Sequence, residues 1–288
     1  MSALTAAPTP RRFSRIEVHP GSGAPGAEIR GVDLSKPLDD ATFGEIRQAF
    51  LDYLVIFFRD QKIAPGQHVE FTERFGTAET HPLGSRSGLD AFPQVMVLEN
   101  RPGRLGPRND FWHSDISFDA VPPAASILYA LEITEGRADT MFCNMYAALE
   151  ALSPGLRRLL EPLTAVHTAE LLVREVPNRL SVDEAPPGVT HPVVRTHPET
   201  GRNALYVNPH YTAHFTDMTP EESWPLLDHL CREATRHENI YRHRWQVGDL
   251  LMWDNRCTMH YAVRDYDDSM PRLLHRTTAA GTKPYRAD

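Results

Sequence analysis

Cysteine is scarce in this sequence, with three residues among 288, far apart in the chain. None of them forms a Cys-x-x-Cys pair, so the sequence predicts neither a zinc knuckle nor a disulfide framework. Unpaired cysteines fit a reducing compartment, and we therefore expect a cytoplasmic protein. The three residues are Cys143, Cys231 and Cys257.

The chain also lacks a long apolar run and an excess of basic residues. No stretch approaches the roughly 20 apolar residues that a membrane helix needs, and the N-terminus has no apolar core like that of a secretory signal. With 30 basic and 38 acidic side chains, the net charge is −8, which argues against a nucleic-acid partner. We expect neither a nucleic acid nor a membrane among its partners.

Strand-like segments dominate the middle and the end of the chain, whereas helical periodicity occurs at the front and in insertions. This order does not alternate strand and helix as a doubly wound parallel sheet requires. We therefore predict a mainly β fold with flanking helices, a cupin-like jelly roll or double-stranded β-helix. Residues 1–12 are predicted to be a disordered tail, and 13–288 a single domain with a mobile loop or lid at about 170–190.

Three segments carry strong local signals. A helix is predicted from about Asp39, which can cap it. The continuous apolar run Tyr53–Phe58 predicts a strand buried on both faces. Thr219 and Glu222 form a capping box that predicts a further helix. The buried stripe expected on that helix consists of Trp224, Leu227, Leu230 and Cys231.

The most informative motif is His113-Ser114-Asp115. Among fourteen histidines, only His113 is followed two residues later by an aspartate. The flanking residues predict a strand over Phe111–Phe118, and side chains two apart on a strand point to the same side. His260, brought alongside by the fold, would complete a face of two imidazoles and one carboxylate, the arrangement that binds non-haem Fe(II) and leaves positions open. The alternative is an isolated triplet that arose by chance.

Two arginines downstream of His260 support a site for anions. Arg272 and Arg276 lie four residues apart in an apolar, strand-like run, so they share one face of the predicted strand. A buried arginine requires a partner, and a dicarboxylate cosubstrate would provide one through the bidentate match of guanidinium and carboxylate. The alternative is a structural salt bridge to an aspartate or glutamate.

Ordered motifs across nearly the whole chain resemble the Fe(II)/2-oxoglutarate-dependent dioxygenases of the taurine and 2,4-dichlorophenoxyacetate (TauD/TfdA) family. The longest matches are WHSDISF at Trp112–Phe118 and WDNRCTMHYAVRDY at Trp253–Tyr266. Shorter matches include GAEIRGVDL at Gly26–Leu34, FFRDQ at Phe57–Gln61, ERFG at Glu73–Gly76, PPAASIL at Pro122–Leu128, DT at Asp139–Thr140, HP at His191–Pro192, THPETGR at Thr196–Arg202, LYVN at Leu205–Asn208 and RLLHRTT at Arg272–Thr278.

The resemblance implies a role for each matching residue. His113, Asp115 and His260 would be the catalytic iron ligands, and Thr140 and Arg272 would hold the distal carboxylate of 2-oxoglutarate. The positions that approach the substrate in the taurine branch correspond to His81, Asn109 and Arg276. The sequence departs from the family pattern in the stretch before Trp112 and in the segment Asp267–Pro271, which is expected to carry one extra residue before Arg272.

The resemblance also implies the reaction and its requirements. These are Fe(II), 2-oxoglutarate and O2, with succinate and CO2 as products, and hydroxylation of a small anionic substrate resembling taurine or an alkylsulfonate. An aryloxyalkanoate, an alkyl sulfate or an amino-acid-derived metabolite would suit the same chemistry. The family often forms homodimers or homotetramers, and either assembly is expected here.

Two other functional classes compete with this interpretation. A zinc hydrolase could use the same two histidines and one carboxylate, since these ligands also suit zinc. A catalytically silent jelly-roll binding protein would need a broken ligand triad, and the triad of this sequence is intact.

Overall fold

The structure is a computed structural model that describes residues 11–21, 25–80, 88–103, 109–170 and 187–287. Residues 1–10 of the predicted tail and 171–186 of the predicted loop lie outside these ranges, as does His81. Within the described ranges, no helix is long and apolar enough to cross a membrane.

Strands and helices follow one another in an order dominated by strands. They are β1 (Glu17–Pro20), β2 (Ala27–Arg30), α1 (Asp40–Tyr53), β3 (Val55–Phe58), α2 (Pro65–Glu73), β4 (Gly88–Leu89), β5 (Phe92–Asn100), β6 (Ala125–Glu132), β7 (Thr140–Asn144), α3 (Met145–Ala151), α4 (Pro154–Leu160), β8 (Thr164–His167), β9 (Val189–Pro192), β10 (Val194–Thr196), β11 (Asn203–Leu205), β12 (Thr212–Phe215), α5 (Pro220–Ala234), β13 (Ile240–His243), β14 (Leu250–Asp254), β15 (Thr258–Ala262) and β16 (Arg272–Ala279).

The largest sheet has eight strands in the order β1-β2-β3-β14-β6-β16-β5-β4. Its pairs are antiparallel except for β2 with β3. Ile56 and Phe58 of β3 pack in one apolar cluster with residues of α1 and α2, whereas Val55 and Phe57 pack in another with residues of β7 and β13. Burial on both faces confirms the double-sided strand predicted from the apolar run, although the strand begins at Val55.

A smaller antiparallel sheet, in the order β13-β7-β15, faces the large one. Phe142 of β7 contacts Trp253 of β14 with ring centroids 5.5 Å apart, and Tyr241 of β13 stacks on Phe57 of β3 at 6.4 Å. Two packed sheets with helices on the outer face of the larger one confirm the predicted jelly roll. A separate apolar cluster joins α3 and α5 to β8, β10 and β11.

Helix termini follow the sequence signals. The Asp39 carboxylate accepts a hydrogen bond from the backbone N–H of Thr42 at the start of α1, at 2.8 Å. Thr219 and Glu222 form the capping box of α5, each side chain accepting from the other residue's backbone N–H. Both predicted caps are confirmed.

The prediction that Trp224 belongs to the buried stripe of α5 was wrong. Trp224 is 55% exposed, whereas its neighbour Ser223 is fully buried. The Ser223 hydroxyl accepts a hydrogen bond from the Phe215 N–H of β12 at 3.0 Å. The buried stripe of α5 therefore includes Ser223 and not Trp224, because the buried Ser223 hydroxyl has a hydrogen-bond partner.

The predicted strand over Phe111–Phe118 was also wrong. Within that segment His113 pairs through an isolated antiparallel bridge to His260, and residues 115–118 form a turn in which Ile116 has a φ of 51°. The alternating apolar residues that suggested a strand are buried for a different reason. Ile116 and Phe118 pack in a small cluster with Tyr211 rather than in a sheet.

Candidate metal centre

The three predicted ligands converge in the interior. Asp115 Oδ1 lies 3.7 Å from His113 Nε2 and 3.9 Å from His260 Nε2. The ligand atoms of all three residues lie within 4.8 Å of one another, and each residue is buried. Two nitrogens and one oxygen around a common point form a site that a divalent transition metal can occupy.

Backbone pairing accounts for the convergence of the two imidazoles. The His113 N–H donates to the His260 carbonyl at 3.1 Å, and the His260 N–H donates to the His113 carbonyl at 2.8 Å. Asp115 begins the turn of residues 115–118, and its carboxylate lies close to both imidazoles. His113 and Asp115 thus point to the same side, as predicted. The segment that holds them is an isolated bridge at His113 followed by a turn, and not a strand.

The protonation states suit a cation. Burial lowers the pKa of His113 to about 3 and that of His260 to about 4, so both imidazoles are neutral near pH 7. The Phe111 carbonyl lies 2.9 Å from His113 Nδ1, which places the proton there and leaves Nε2 with its lone pair. Burial alone would raise the pKa of Asp115, but the adjacent charge of Arg276 and the hydrogen bond from Ser126 act against it, and the net pKa is lowered.

Arg276 lies against the carboxylate ligand. Its Nη2 is 2.8 Å from Asp115 Oδ2, and the Ser126 hydroxyl donates to the same oxygen at 2.7 Å. These two contacts leave Oδ1 to face the imidazoles. In this structure the partner that the sequence demanded for Arg276 is therefore an aspartate, while its Nε is buried with no hydrogen-bond partner among the described residues.

Arg272 has a different environment on the same strand, β16. No ion pair joins it to a carboxylate within the described ranges, and its buried Nε has no hydrogen-bond partner there. Burial lowers the pKa of its guanidinium. This side chain lines a small pocket together with Leu98, Glu99, Asn100, Asn109, Ala262 and Tyr266.

Thr140 lies on the same face of the small sheet as His260. The register pairs His260 with Phe142 and Ala262 with Thr140, so all four share one face. Ala262 also lines the Arg272 pocket, and the Trp245 indole N–H donates to the Thr140 hydroxyl at 3.0 Å. Thr140, Arg272 and Asn109 therefore belong to one neighbourhood beside the metal centre.

A second cluster of potential ligands consists of His197, Asp254 and Cys257. Arg256 donates to both carboxylate oxygens of Asp254, at 2.8 and 2.6 Å. His197 Nδ1 accepts two backbone N–H groups and its Nε2 lies 3.0 Å from Asp254. Because these contacts occupy the imidazole and both carboxylate oxygens, this cluster is a structural ion network rather than a metal centre.

Comparisons with known proteins agree with this geometry. The profile of the family described as "Taurine catabolism dioxygenase TauD, TfdA family" matches residues 17–278. An alpha-ketoglutarate-dependent sulfate ester dioxygenase from Pseudomonas putida is 36% identical over 100% of this chain and 96% of its own length. The alpha-ketoglutarate-dependent 2,4-dichlorophenoxyacetate dioxygenase of Cupriavidus pinatubonensis is 34% identical, covering 88% of this chain and 93% of its own. A putative alpha-ketoglutarate-dependent taurine dioxygenase from Burkholderia xenovorans superposes with a TM-score of 0.82 at 36% identity, covering 95% of each chain.

Proposed function

The chain belongs to the TauD/TfdA family of dioxygenases, and from this premise we propose its substrate class and the role of each site residue. It is an Fe(II)- and 2-oxoglutarate-dependent dioxygenase, an oxidoreductase that consumes O2. The proposed substrate is a small organic anion that carries a sulfate ester or a sulfonate. The similarity to the sulfate ester dioxygenase of Pseudomonas putida and the presence of Arg276 on β16 support this class.

His113, Asp115 and His260 are the proposed iron ligands. The observation that carries this assignment is that Asp115 Oδ1 faces two neutral imidazole nitrogens at 3.7 and 3.9 Å. When bound, iron with 2-oxoglutarate and O2 supplies the oxidising chemistry that hydroxylates a substrate C–H bond, with release of succinate and CO2. The protein's contribution is to hold the three ligands in a buried, preorganised arrangement.

Arg272 and Thr140 are proposed to bind the distal carboxylate of 2-oxoglutarate. A guanidinium that lines a pocket and has no ion pair in the described structure suits a bidentate carboxylate. The Trp245 indole N–H donates to the Thr140 oxygen, so the proton of the hydroxyl is left to donate to the ligand. Trp245 is thus a positioning residue that sequence analysis did not identify.

Arg276, Asn109 and His81 are the proposed substrate-binding residues. Arg276 already neutralises Asp115 through Nη2, and its remaining donors can hold the anionic group of the substrate close to the metal. Trp253 lies 4.7 Å from His260 between ring centroids, and Phe142 lies 6.0 Å from it. These rings keep water away from one side of the metal centre.

An aryloxyalkanoate is the second candidate substrate. The 34% identity to the 2,4-dichlorophenoxyacetate dioxygenase of Cupriavidus pinatubonensis favours it. The same arginine that would hold a sulfur oxyanion can hold a carboxylate in the same bidentate manner.

Substrate-dependent succinate release tests the proposal. Purified enzyme with Fe(II), 2-oxoglutarate and ascorbate is offered alkyl sulfates, alkylsulfonates and aryloxyacetates in parallel. We expect the highest kcat/KM for a sulfate ester or sulfonate, with stoichiometric release of sulfate or sulfite. A clear preference for aryloxyacetates would favour the second candidate, and no stimulation by any of the three classes would reject the proposed substrate class.

A cytoplasmic location, a single domain over residues 13–288 and a homodimeric or homotetrameric assembly complete the proposal. The three cysteines are buried and free, which fits a reducing compartment. Cell fractionation and light scattering of the purified enzyme would test location and assembly. A periplasmic protein or a monomer at micromolar concentration would contradict these assignments.

A further inference from the structure

A buried serine connects the metal centre to the rest of the large sheet. Ser126 has 0% exposure in strand β6, where it lies between the apolar residues Ala125 and Ile127. Its hydroxyl oxygen lies 2.7 Å from Asp115 Oδ2, 3.0 Å from Asn255 Nδ2 and 3.1 Å from Arg276 Nη2. Because the strand neighbours are apolar, this hydroxyl is the polar contact that β6 makes with the carboxylate ligand.

The direction of each hydrogen bond follows from the chemistry of the partners. The Trp253 indole can only donate, and it donates to Asn255 Oδ1 at 2.9 Å, which fixes the orientation of that amide. Asn255 Nδ2 and Arg276 Nη2 are also donors, so both direct hydrogens at the Ser126 oxygen. The single proton of Ser126 is left to donate to Asp115 Oδ2.

This pattern determines which oxygen of Asp115 is available. Oδ2 receives the Ser126 proton and the Arg276 ion pair, whereas Oδ1 faces the two imidazole nitrogens. We propose that Ser126 and Asn255 are positioning residues that restrict Asp115 to one metal-binding oxygen. A one-oxygen ligand leaves a coordination position for the keto acid and O2 that a bidentate carboxylate would occupy. This inference rests on the proposed metal site.

Metal affinity tests the proposal without turnover. We expect Ser126→Ala to raise the Kd for Mn(II), measured by calorimetry on the metal-free enzyme, about 10- to 100-fold, as observed for partners of metal ligands. The visible spectrum of bound Co(II) should change as well, because the carboxylate is free to bind through both oxygens. A serine with only a structural role would move neither quantity.

Ser223→Ala is the matched control. Ser223 is equally buried and accepts one backbone hydrogen bond far from the ligands in sequence, on α5. We expect its Kd for Mn(II) to stay within twofold of wild type. Asn255→Asp provides a second variant, because a carboxylate keeps the acceptor for Trp253 but takes the Ser126 proton away from Asp115. If Ser126→Ala does not fold, the decision rests on Asn255→Asp.

The outcomes separate this inference from the metal assignment. Mn(II) binding that survives in the His113→Ala variant would reject the metal site itself. Binding that is lost in His113→Ala but unchanged in both Ser126→Ala and Asn255→Asp would overturn the positioning role alone. Weakened binding and an altered Co(II) spectrum in the folded variants, with the Ser223 control unchanged, would support it.

Discussion

Replacing Arg272 and Arg276 in turn by methionine should separate two arginines that lie four residues apart on one strand. Methionine keeps an unbranched apolar chain but removes the charge. Each hydrogen bond between charged groups contributes about 1.5–3 kcal/mol. Loss of one such bond to 2-oxoglutarate in Arg272→Met should therefore raise the KM for 2-oxoglutarate by about 10- to 150-fold, since 1.4 kcal/mol corresponds to a factor of ten.

When no ligand is bound, the two variants should differ in unfolding free energy, and Arg276→Met should be the less stable of the two. Arg272 has no ion pair within the described structure, so Arg272→Met should leave the unfolding free energy of the ligand-free enzyme within about 1 kcal/mol of wild type. Arg276→Met breaks a buried pair with Asp115 and should cost about 3–5 kcal/mol. Urea unfolding of the metal-free proteins measures both values.

Succinate assays and unfolding curves together test whether Arg272 binds 2-oxoglutarate or only stabilises the fold. A normal KM for 2-oxoglutarate in Arg272→Met, with a large loss of stability, would mean that the residue is a structural cation and not a ligand for the cosubstrate. Equal behaviour of the two variants in both experiments would refute the distinction drawn between their environments.

Three further outcomes are expected. His113→Ala should abolish Mn(II) binding and succinate release, whereas His214→Ala, outside the ligand set, should preserve both within twofold. Trp245→Phe removes the N–H that orients Thr140 and should raise the KM for 2-oxoglutarate about fivefold at unchanged kcat, equivalent to about 1 kcal/mol; an unchanged KM would reject that role. Burial lowers the pKa of His68 to about 3 from its usual 6.5, so the unfolded chain binds a proton that the folded chain does not, and stability falls as pH drops from 6.5 toward 3. Urea unfolding should show that His68→Gln loses about 2 kcal/mol less than wild type between pH 7.5 and pH 5, and equal losses would contradict this.

Local signals in the sequence predicted much of the fold. The cap at Asp39 and the box at Thr219 are short-range hydrogen bonds between residues three apart, so they are readable from the chain itself. The run that became β3 was readable because both faces of that strand are buried. The prediction for Trp224 was wrong because helical periodicity locates a buried stripe only to within one residue. Ser223 could take the buried position because its hydroxyl has a hydrogen-bond partner there.

The sequence predicted which residues form the candidate metal centre but not the backbone structure that brings them together. The spacing of His113 and Asp115 fits both a strand and the turn that the structure contains, so the pattern could not distinguish them. Ser126 and Asn255 are 129 residues apart, and no local pattern relates a strand serine to a distant amide. The sequence offered one signal, a serine among the apolar residues at the start of β6. Its role can be assigned only once the structure shows its partners, Asp115 and Asn255.

The reciprocal backbone hydrogen bonds between His113 and His260 allow the surrounding sequence of such enzymes to diversify. Two of the three donor atoms are anchored by main-chain atoms whose positions do not depend on which side chains surround them. Connecting segments can then change in length and composition while the spacing of the nitrogens is preserved. One oxidising centre can in this way be inherited intact by lineages that come to consume quite different organic acids.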